Sequence, residues 1–217
     1  ILEENNNFSQ ACNFLKKANN LNRNIYGSEY SRIKKKIESC YNEHWEEKKI
    51  DLNQINNFPI PIFIVGLPRS GKTITETILA CNNKVIKCGE DHTLEKTIKI
   101  YFEKKKNLLN PSLSKLYFDN IEADIYGKSY VCTTYPWNLL YTGLIASQIP
   151  QAKIIYCYRN PLDNIKEIYK KNMGDKHTYS CSIVESTNLW LEVDSLMKTY
   201  KKRYSSKIYF LNYDNLV

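Results

Sequence analysis

Residues 61–79 read PIFIVGLPRSGKTITETIL, and the whole chain can be read outward from this stretch. A short apolar run ends at a loop, GLPRSGKT (66–73), which leads into a segment of helical character. The loop fits the Walker A pattern G-x-x-x-x-G-K-[ST] letter for letter. At average residue usage, a chance match to four fixed positions in a chain of this length is an event of about one in a hundred. A phosphate-binding loop is therefore expected. Backbone N–H groups from Arg69 to Thr73 can converge on an anion at the mouth of the following helix, whose dipole favours negative charge there. Gly71 permits close approach, Arg69 offers a bidentate donor, and Lys72 adds a point charge.

On the N-terminal side, FSQACNFLKKANNLNRNI places Phe8, Ala11, Cys12, Leu15 and Ala18 at helical spacing, and SEYSRIKKKIESCYNEHW continues with Ile33, Ile37 and Tyr41. The polar, Pro-bounded KIDLNQINNFPIP reads as a linker before the first buried strand, IFIVG. On the C-terminal side, KTITETILACN predicts a short helix with Ile74, Ile78 and Leu79 on one face, followed by a strand in KVIKCGE. DHTLEKTIKIYFEKKK, capped by Asp91, and PSLSKLYFDNIEADIYG, opened by Pro111, predict two helices. SYVCTTY (strand), WNLLYTGLIASQI (helix), AKIIYCYRN (strand), PLDNIKEIYKKN (helix), SIVESTNLWLEVDSLMKTYKKRY (helix) and KIYFLNY (strand) complete the chain. Strands that alternate with helices imply a parallel sheet covered on both faces. The expected fold is an α/β, P-loop-like three-layer α/β/α sandwich, with residues 1–57 as a helical lead-in and 58–217 as the α/β domain. Ligands in such folds bind beyond the carboxyl ends of the strands.

Composition narrows the class. The 217 residues are 42% hydrophobic and 25% charged, enough for one sizeable core. Seven widely spaced cysteines form no C-x-x-C pair, so neither a disulfide framework nor a zinc site is indicated, and a reducing, cytoplasmic setting is expected. No stretch has the length and apolarity of a membrane span, and the first residues lack the pattern of a secretion signal. The chain begins without Met and stops within FLNYDNLV, which reads as a fragment truncated at both ends. The net charge of +8 invites a nucleic-acid reading, with an anionic small ligand as its rival. The lysines of RIKKKIE, YFEKKKNLL, IYKKNMG and TYKKRYSS are spread along helical segments as solvated faces, and no RNA or DNA motif is spelled out. No nucleic-acid partner is expected.

A Walker A triphosphatase also needs a carboxylate at a strand end to hold magnesium. The strand ends here are CGE with Glu90, CTTY with no acid, CYRN with Arg159 and LNYD with Asp214. An arginine at a strand end suits a second phosphate better than a magnesium ion.

At these residues the chain resembles a known family. FIVGLPRSGKTITETILACNNKVIKCGE looks like the opening of the sulfotransferases that follow tetratricopeptide repeats. YPWNLLYTGLIASQIPQAKIIYCYRNPLDN is similar to their second block, and KIYFLNYDNLV to a later Y-E-D-L-V element. FSQACNFLKKANNLNRN resembles the last repeat helix before the catalytic domain, and the CGE turn resembles the tyrosylprotein sulfotransferases.

The resemblance implies sulfuryl transfer from 3′-phosphoadenosine 5′-phosphosulfate (PAPS), with no metal, to a protein, glycan or small-molecule acceptor. Partner proteins would bind through upstream repeats. In this reading Arg69, Ser70, Gly71, Lys72, Thr73 and Ile74 hold the phosphosulfate, and Arg159, Lys171 and Tyr213 complete the donor site. Arg69 and Lys72 supply charge to the transferring group, and Glu90 serves as base, with His92 as a substitute. Three positions depart from the family pattern: Lys72 replaces a Thr, Thr134 stands where a lysine is usual, and Glu167 replaces a Ser for the 3′-phosphate. The alternatives are an ATP- or GTP-dependent kinase or hydrolase using GLPRSGKT, and an inactive partner-binding relative.

Overall fold

The computed structural model describes residues 5–47, 58–107 and 111–216. Two helices lead in, α1 (Phe8–Tyr26) and α2 (Tyr30–Asn42). The core then runs β1 (Ile60–Val65), α3 (Lys72–Leu79), β2 (Val85–Lys87), α4 (Thr93–Lys106), α5 (Leu113–Asp119) and β3 (Tyr130–Thr133). A 3-10 helix (Pro136–Tyr141) leads into α6 (Thr142–Gln148), β4 (Lys153–Tyr158) and α7 (Pro161–Lys170). A second 3-10 helix (Asp175–Cys181), α8 (Ile183–Arg203), β5 (Ile208–Asn212) and a last 3-10 turn (Tyr213–Asn215) follow. Most of the linker read in KIDLNQINNFPIP lies outside the described residues, as does the boundary placed at residue 57.

The five strands form one sheet in the order β2-β3-β1-β4-β5, and every pair is parallel, as expected. β1 is central because both of its faces are apolar: Phe63, Ile64 and Val65 have no exposed surface. Burying each such side chain is worth about 1.5–3 kcal/mol. Phe63 and Val65 join the large cluster with Tyr117, Val131, Ile154 and Leu189. Ile62 and Ile64 join the smaller one with Cys132 and Cys157. Alternation along the strand thus builds a core on each face. Ile33, Ile37 and Cys40 of α2 enter the larger cluster.

The order of the strands positions the site. From β1 the chain leaves toward β2 and β3, whereas from β4 it leaves toward β5. The carboxyl ends of β1 and β4 therefore flank a topological switch point, where α/β sheets open a crevice.

Four local expectations are corrected. Tyr41 is 39% exposed, and its neighbour Cys40 takes the buried position of α2. The helix opened by Pro111 is confined to Leu113–Asp119 and capped by Ser112, whose side chain accepts from Lys115 N. Asp91 does accept from Thr93 N, at 2.9 Å, but it stands one residue before His92, the N-cap of α4. On α3 the apolar face is not the buried one: Leu79 packs against the smaller cluster, but Ile74 and Ile78 are 42% and 51% exposed, while Lys72, Thr75 and Glu76 are buried. Side-chain bonds to the sheet, described next, turn that helix.

Candidate functional site

The loop after β1 is shaped by contacts a larger residue could not make. Gly66 has φ 146°, and a Cβ there would lie 2.3 Å from the carbonyl oxygen of Cys157, so glycine lets the ends of β1 and β4 come together. Arg69 adopts a left-handed φ of 64°, uncommon for a non-glycine residue and of the kind that collects at functional sites. Gly71, with φ 96°, is the N-cap of α3. Beyond it the first N–H groups of α3 lack intrahelical acceptors, as at any helix start. Ser70 is 1% exposed, and its Oγ has no hydrogen-bond partner among the described residues. A buried hydroxyl left in this state marks a place where a ligand or water is expected.

Lys72 is buried and donates from Nζ to the carbonyl oxygen of Leu67 at 3.0 Å. Burial lowers its pKa from 10.5 to about 8, against an opposing pull from Glu90 and the Cys157 thiol. α3 is fixed to the sheet by Thr75, whose Oγ1 lies 3.4 Å from Cys157 Sγ, and by Glu76, whose Oε1 accepts from Gly89 N at 2.8 Å. These bonds are why the polar residues of α3 face inward.

The second wall comes from β4 and β5. Asn160 caps α7, accepting from Leu162 N at 2.9 Å, and Asn164 Nδ2 donates to the carbonyl oxygen of Pro68 at 2.9 Å, tying α7 to the loop. Arg159 lies with its guanidinium carbon 5.1 Å from the centre of the Tyr213 ring. Its Nε is 3.8 Å from Asp214 Oδ1, an ion-pair distance too long for a hydrogen bond, and is buried without a hydrogen-bond partner among the described residues. Asp214 Oδ2 accepts instead from Asn160 N at 2.6 Å. The Tyr213 ring lies on Gly71, where a Cβ would approach its Cδ2 to 2.2 Å.

The third wall is the turn after β2. Gly89 is held from both sides, by Glu76 and by Thr134, whose N donates to the Gly89 carbonyl oxygen at 2.7 Å. Thr133 Oγ1 donates to the same oxygen at 3.2 Å. This clamp fixes the backbone from which Glu90 projects.

The three walls enclose a cavity of about 370 Å³. Arg69, Gly71, Lys72, Thr73, Ile74, Glu90, Arg159, Lys171 and Tyr213 all line it, with Pro68 and Met173. Ser70 sits behind the lining. Four cationic side chains and one carboxylate line it, while Glu167 pairs with Arg69 and Asp163 and Asp214 with Arg159 from outside the lining, so an anion bound here competes with those carboxylates. His92 is outside it, with its ring 4.2 Å from that of Tyr135 and Nδ1 3.5 Å from Glu95 Oε2. Thr134 is a buried part of the Gly89 clamp. Glu167 reaches Arg69, its Oε2 lying 3.7 Å from a guanidinium nitrogen. Sequence reasoning missed Glu76 and Asn164, because both act through contacts with chain segments distant in sequence. The Asn-Pro at 160–161 was legible as a capped helix start.

Residues 95–217 match the profile of the sulfotransferase family. The chain belongs to the sulfotransferase family. The matched span contains Arg159, Lys171 and Tyr213 and begins after the loop and Glu90. An uncharacterized protein of Aquifex aeolicus is 27% identical over 177 residues, which are 72% of this chain and 23% of that protein. This chain thus spans less than a quarter of that relative's length. Among solved structures, a sulfotransferase from Mycobacterium tuberculosis aligns with 94% of this chain and 84% of its own, at 12% identity and a TM-score of 0.43. Retinol dehydratase in a complex with retinol and PAP aligns over 75% and 57%, at 17% identity and a TM-score of 0.39. Shikimate kinase from Bacteroides thetaiotaomicron aligns over 71% and 87%, at 13% identity and a TM-score of 0.43. No helix among the described residues is long and apolar enough to cross a membrane, and no group of metal-ligating side chains is found among them.

Proposed function

We propose that this chain transfers a sulfuryl group from PAPS to a hydroxyl or amine acceptor, with Glu90 as base, in the manner of the sulfotransferases associated with tetratricopeptide repeats. The observation that carries the reading is that the loop cations and Glu90 line one cavity at the switch point between β1 and β4. The residues suit such a donor: Ser70 Oγ, behind the lining, and Arg159 Nε, in it, are buried without a hydrogen-bond partner among the described residues, at a cavity lined by four cationic side chains. PAPS would supply the activated sulfuryl group, its phosphosulfate at the head of α3 and its 3′-phosphate toward Arg159 and Lys171.

The protein's part is then positioning and charge. Glu90 takes the proton of the acceptor as its oxygen or nitrogen bonds to sulfur. The bond from sulfur to the bridging oxygen breaks in line, and Arg69 and Lys72 stabilise the charge that collects on that oxygen. Arg69 is the first candidate for this task, and Lys72, a buried cation, adds charge where water is excluded.

Thermal unfolding with adenosine 3′,5′-bisphosphate tests the donor. The expected result is a rise in Tm without magnesium, by the mass-action shift any native-state ligand gives. A larger shift with ATP that requires magnesium would replace this reading by that of a kinase or hydrolase.

A further inference from the structure

Helix α1 is anchored by its C-terminal half. Asn19, its one buried residue, donates from Nδ2 to the carbonyl oxygen of Tyr169 at 3.1 Å, Asn22 Nδ2 lies 3.3 Å from Cys181 Sγ, and Arg23 pairs with Glu185 at 2.6 Å. The N-terminal half stands away from α7 and α8 across a groove of about 740 Å³. Phe8 lines one side, Leu162 and Ile165 of α7 and Ile183, Trp190 and Leu191 of α8 the other. Phe8, Leu162, Ile183 and Leu191 are 58%, 77%, 52% and 56% exposed. A helix ordinarily buries its apolar stripe, so apolar walls that face each other with no described residue between them leave room for an occupant. Every charged residue in the lining is a lysine: Lys16, Lys166 and Lys170. Lys16 and Lys166 make no ion pair among the described residues.

We propose that this groove docks an amphipathic helix of a partner protein, apolar on one face and acidic along its edges. The length suits a helix. Phe8 to Lys16 on α1 and Ile183 to Leu191 on α8 each advance eight residues, about 12 Å at 1.5 Å per residue, the length of two turns. A third helix laid between them packs at the usual axial separation of about 8–10 Å and presents apolar anchors at i, i+3, i+4 and i+7. A small amphiphile would cover the floor at Ile165 and leave the rim at Leu162 and Leu191 in water. Charge selects the partner, because acidic edges meet Lys16 and Lys166 and basic ones are repelled. The groove begins at Pro161, directly after Arg159 and Asn160, so a docked partner stands beside the anion cavity without entering it. The proposal stands independently of the sulfuryl-transfer reading.

The test uses an 18-residue synthetic helix with leucine at the four anchor spacings and glutamate on the flanks, titrated into the protein and followed by tryptophan fluorescence and calorimetry. Saturable one-to-one binding is expected, with the fluorescence change lost in Trp190→Phe. Leu191→Glu should weaken it at least about tenfold, as loss of a central apolar anchor does. Lys166→Glu should weaken it and flatten its salt dependence. Leu191 is exposed, so its variant should keep the parent Tm, and the shift given by the bisphosphate should be unchanged. Equal binding of a scrambled peptide, indifference to Leu191→Glu, or uptake of dodecanoate in place of the peptide would overturn the proposal. So would a protein dimer that Leu191→Glu dissociates, since the occupant would then be a second copy.

Discussion

Glu167 of α7 holds its carboxylate 3.7 Å from the Arg69 guanidinium, the cation expected to meet the transferring group. The pair is half exposed, at 50% and 34%, so its own contribution to stability is small. Its effect on an incoming anion is larger, because a bound phosphosulfate must compete with the carboxylate for Arg69. Glu167→Gln should therefore raise affinity for adenosine 3′,5′-bisphosphate by roughly two- to tenfold with little change in Tm. Calorimetry decides it: unchanged or weaker binding would mean that Glu167 positions Arg69 for the donor.

Lys72 gives the site a pH dependence with a definite sign. Its pKa in the free protein is about 8, so it is charged at neutral pH and loses its proton just above. An anion bound beside it favours the charged form and raises that value. Bisphosphate affinity should be flat below the free-protein pKa and fall by up to about tenfold per pH unit above it, until the bound-state value is reached. Lys72→Thr should remove the slope and keep neutral-pH binding within about tenfold. The same slope in Lys72→Thr would assign the titration to another group.

The sheet was legible in the sequence because both strands at the switch point are runs of apolar and aromatic residues that end in turn chemistry, GLP after β1 and RNP after β4. Most of the cavity residues were legible because they follow a strand end, as Arg69, Glu90, Arg159 and Tyr213 do, whereas Lys171, at the far end of α7, was read only from the family resemblance. What could not be read was whatever depends on contacts across the sheet. Helix α3 shows three apolar residues at helical spacing, yet Thr75 and Glu76 turn inward because Cys157 and Gly89 receive them. The pairing of Glu167 with Arg69 joins two helix-loop units that only the fold brings together. In α2 the 3.6-residue period leaves Cys40 and Tyr41 nearly equivalent, and packing against Tyr200, whose hydroxyl lies 3.5 Å from the Cys40 carbonyl oxygen, decides for Cys40.

Gly71 and Tyr213 form a contact that no other residue pair can make in that space. A methyl group on Gly71 would meet the ring at 2.2 Å and would also require φ 96° of an L-residue. Gly71→Ala should destabilise the protein by about 2–4 kcal/mol, combining overpacking with backbone strain. Adding Tyr213→Ala should return the overpacking part and leave bisphosphate binding weak, since Arg159 then loses its aromatic support. A double variant no more stable than Gly71→Ala would show that strain alone sets the cost.

Two glutamates stand on either side of Gly89 in space and should separate cleanly in experiment. Glu76 is buried, and burial raises its pKa while the Gly89 N–H bond and Lys87, 3.8 Å away, oppose the rise. A carboxyl whose folded pKa lies above its unfolded one weakens the native state as pH rises from the unfolded value through the folded one. Glu76→Gln keeps an acceptor for Gly89 and should remove that slope, whereas Glu76→Ala should cost about 1–3 kcal/mol by orphaning the Gly89 N–H. Glu90 is exposed at the cavity and holds up no backbone group among the described residues. Glu90→Gln should leave Tm and bisphosphate affinity nearly unchanged and lower sulfuryl transfer by about 10²- to 10⁴-fold, the usual contribution of a positioned base. Transfer that survives Glu90→Gln but fails in Glu76→Gln would move the base from the cavity rim to the helix behind it.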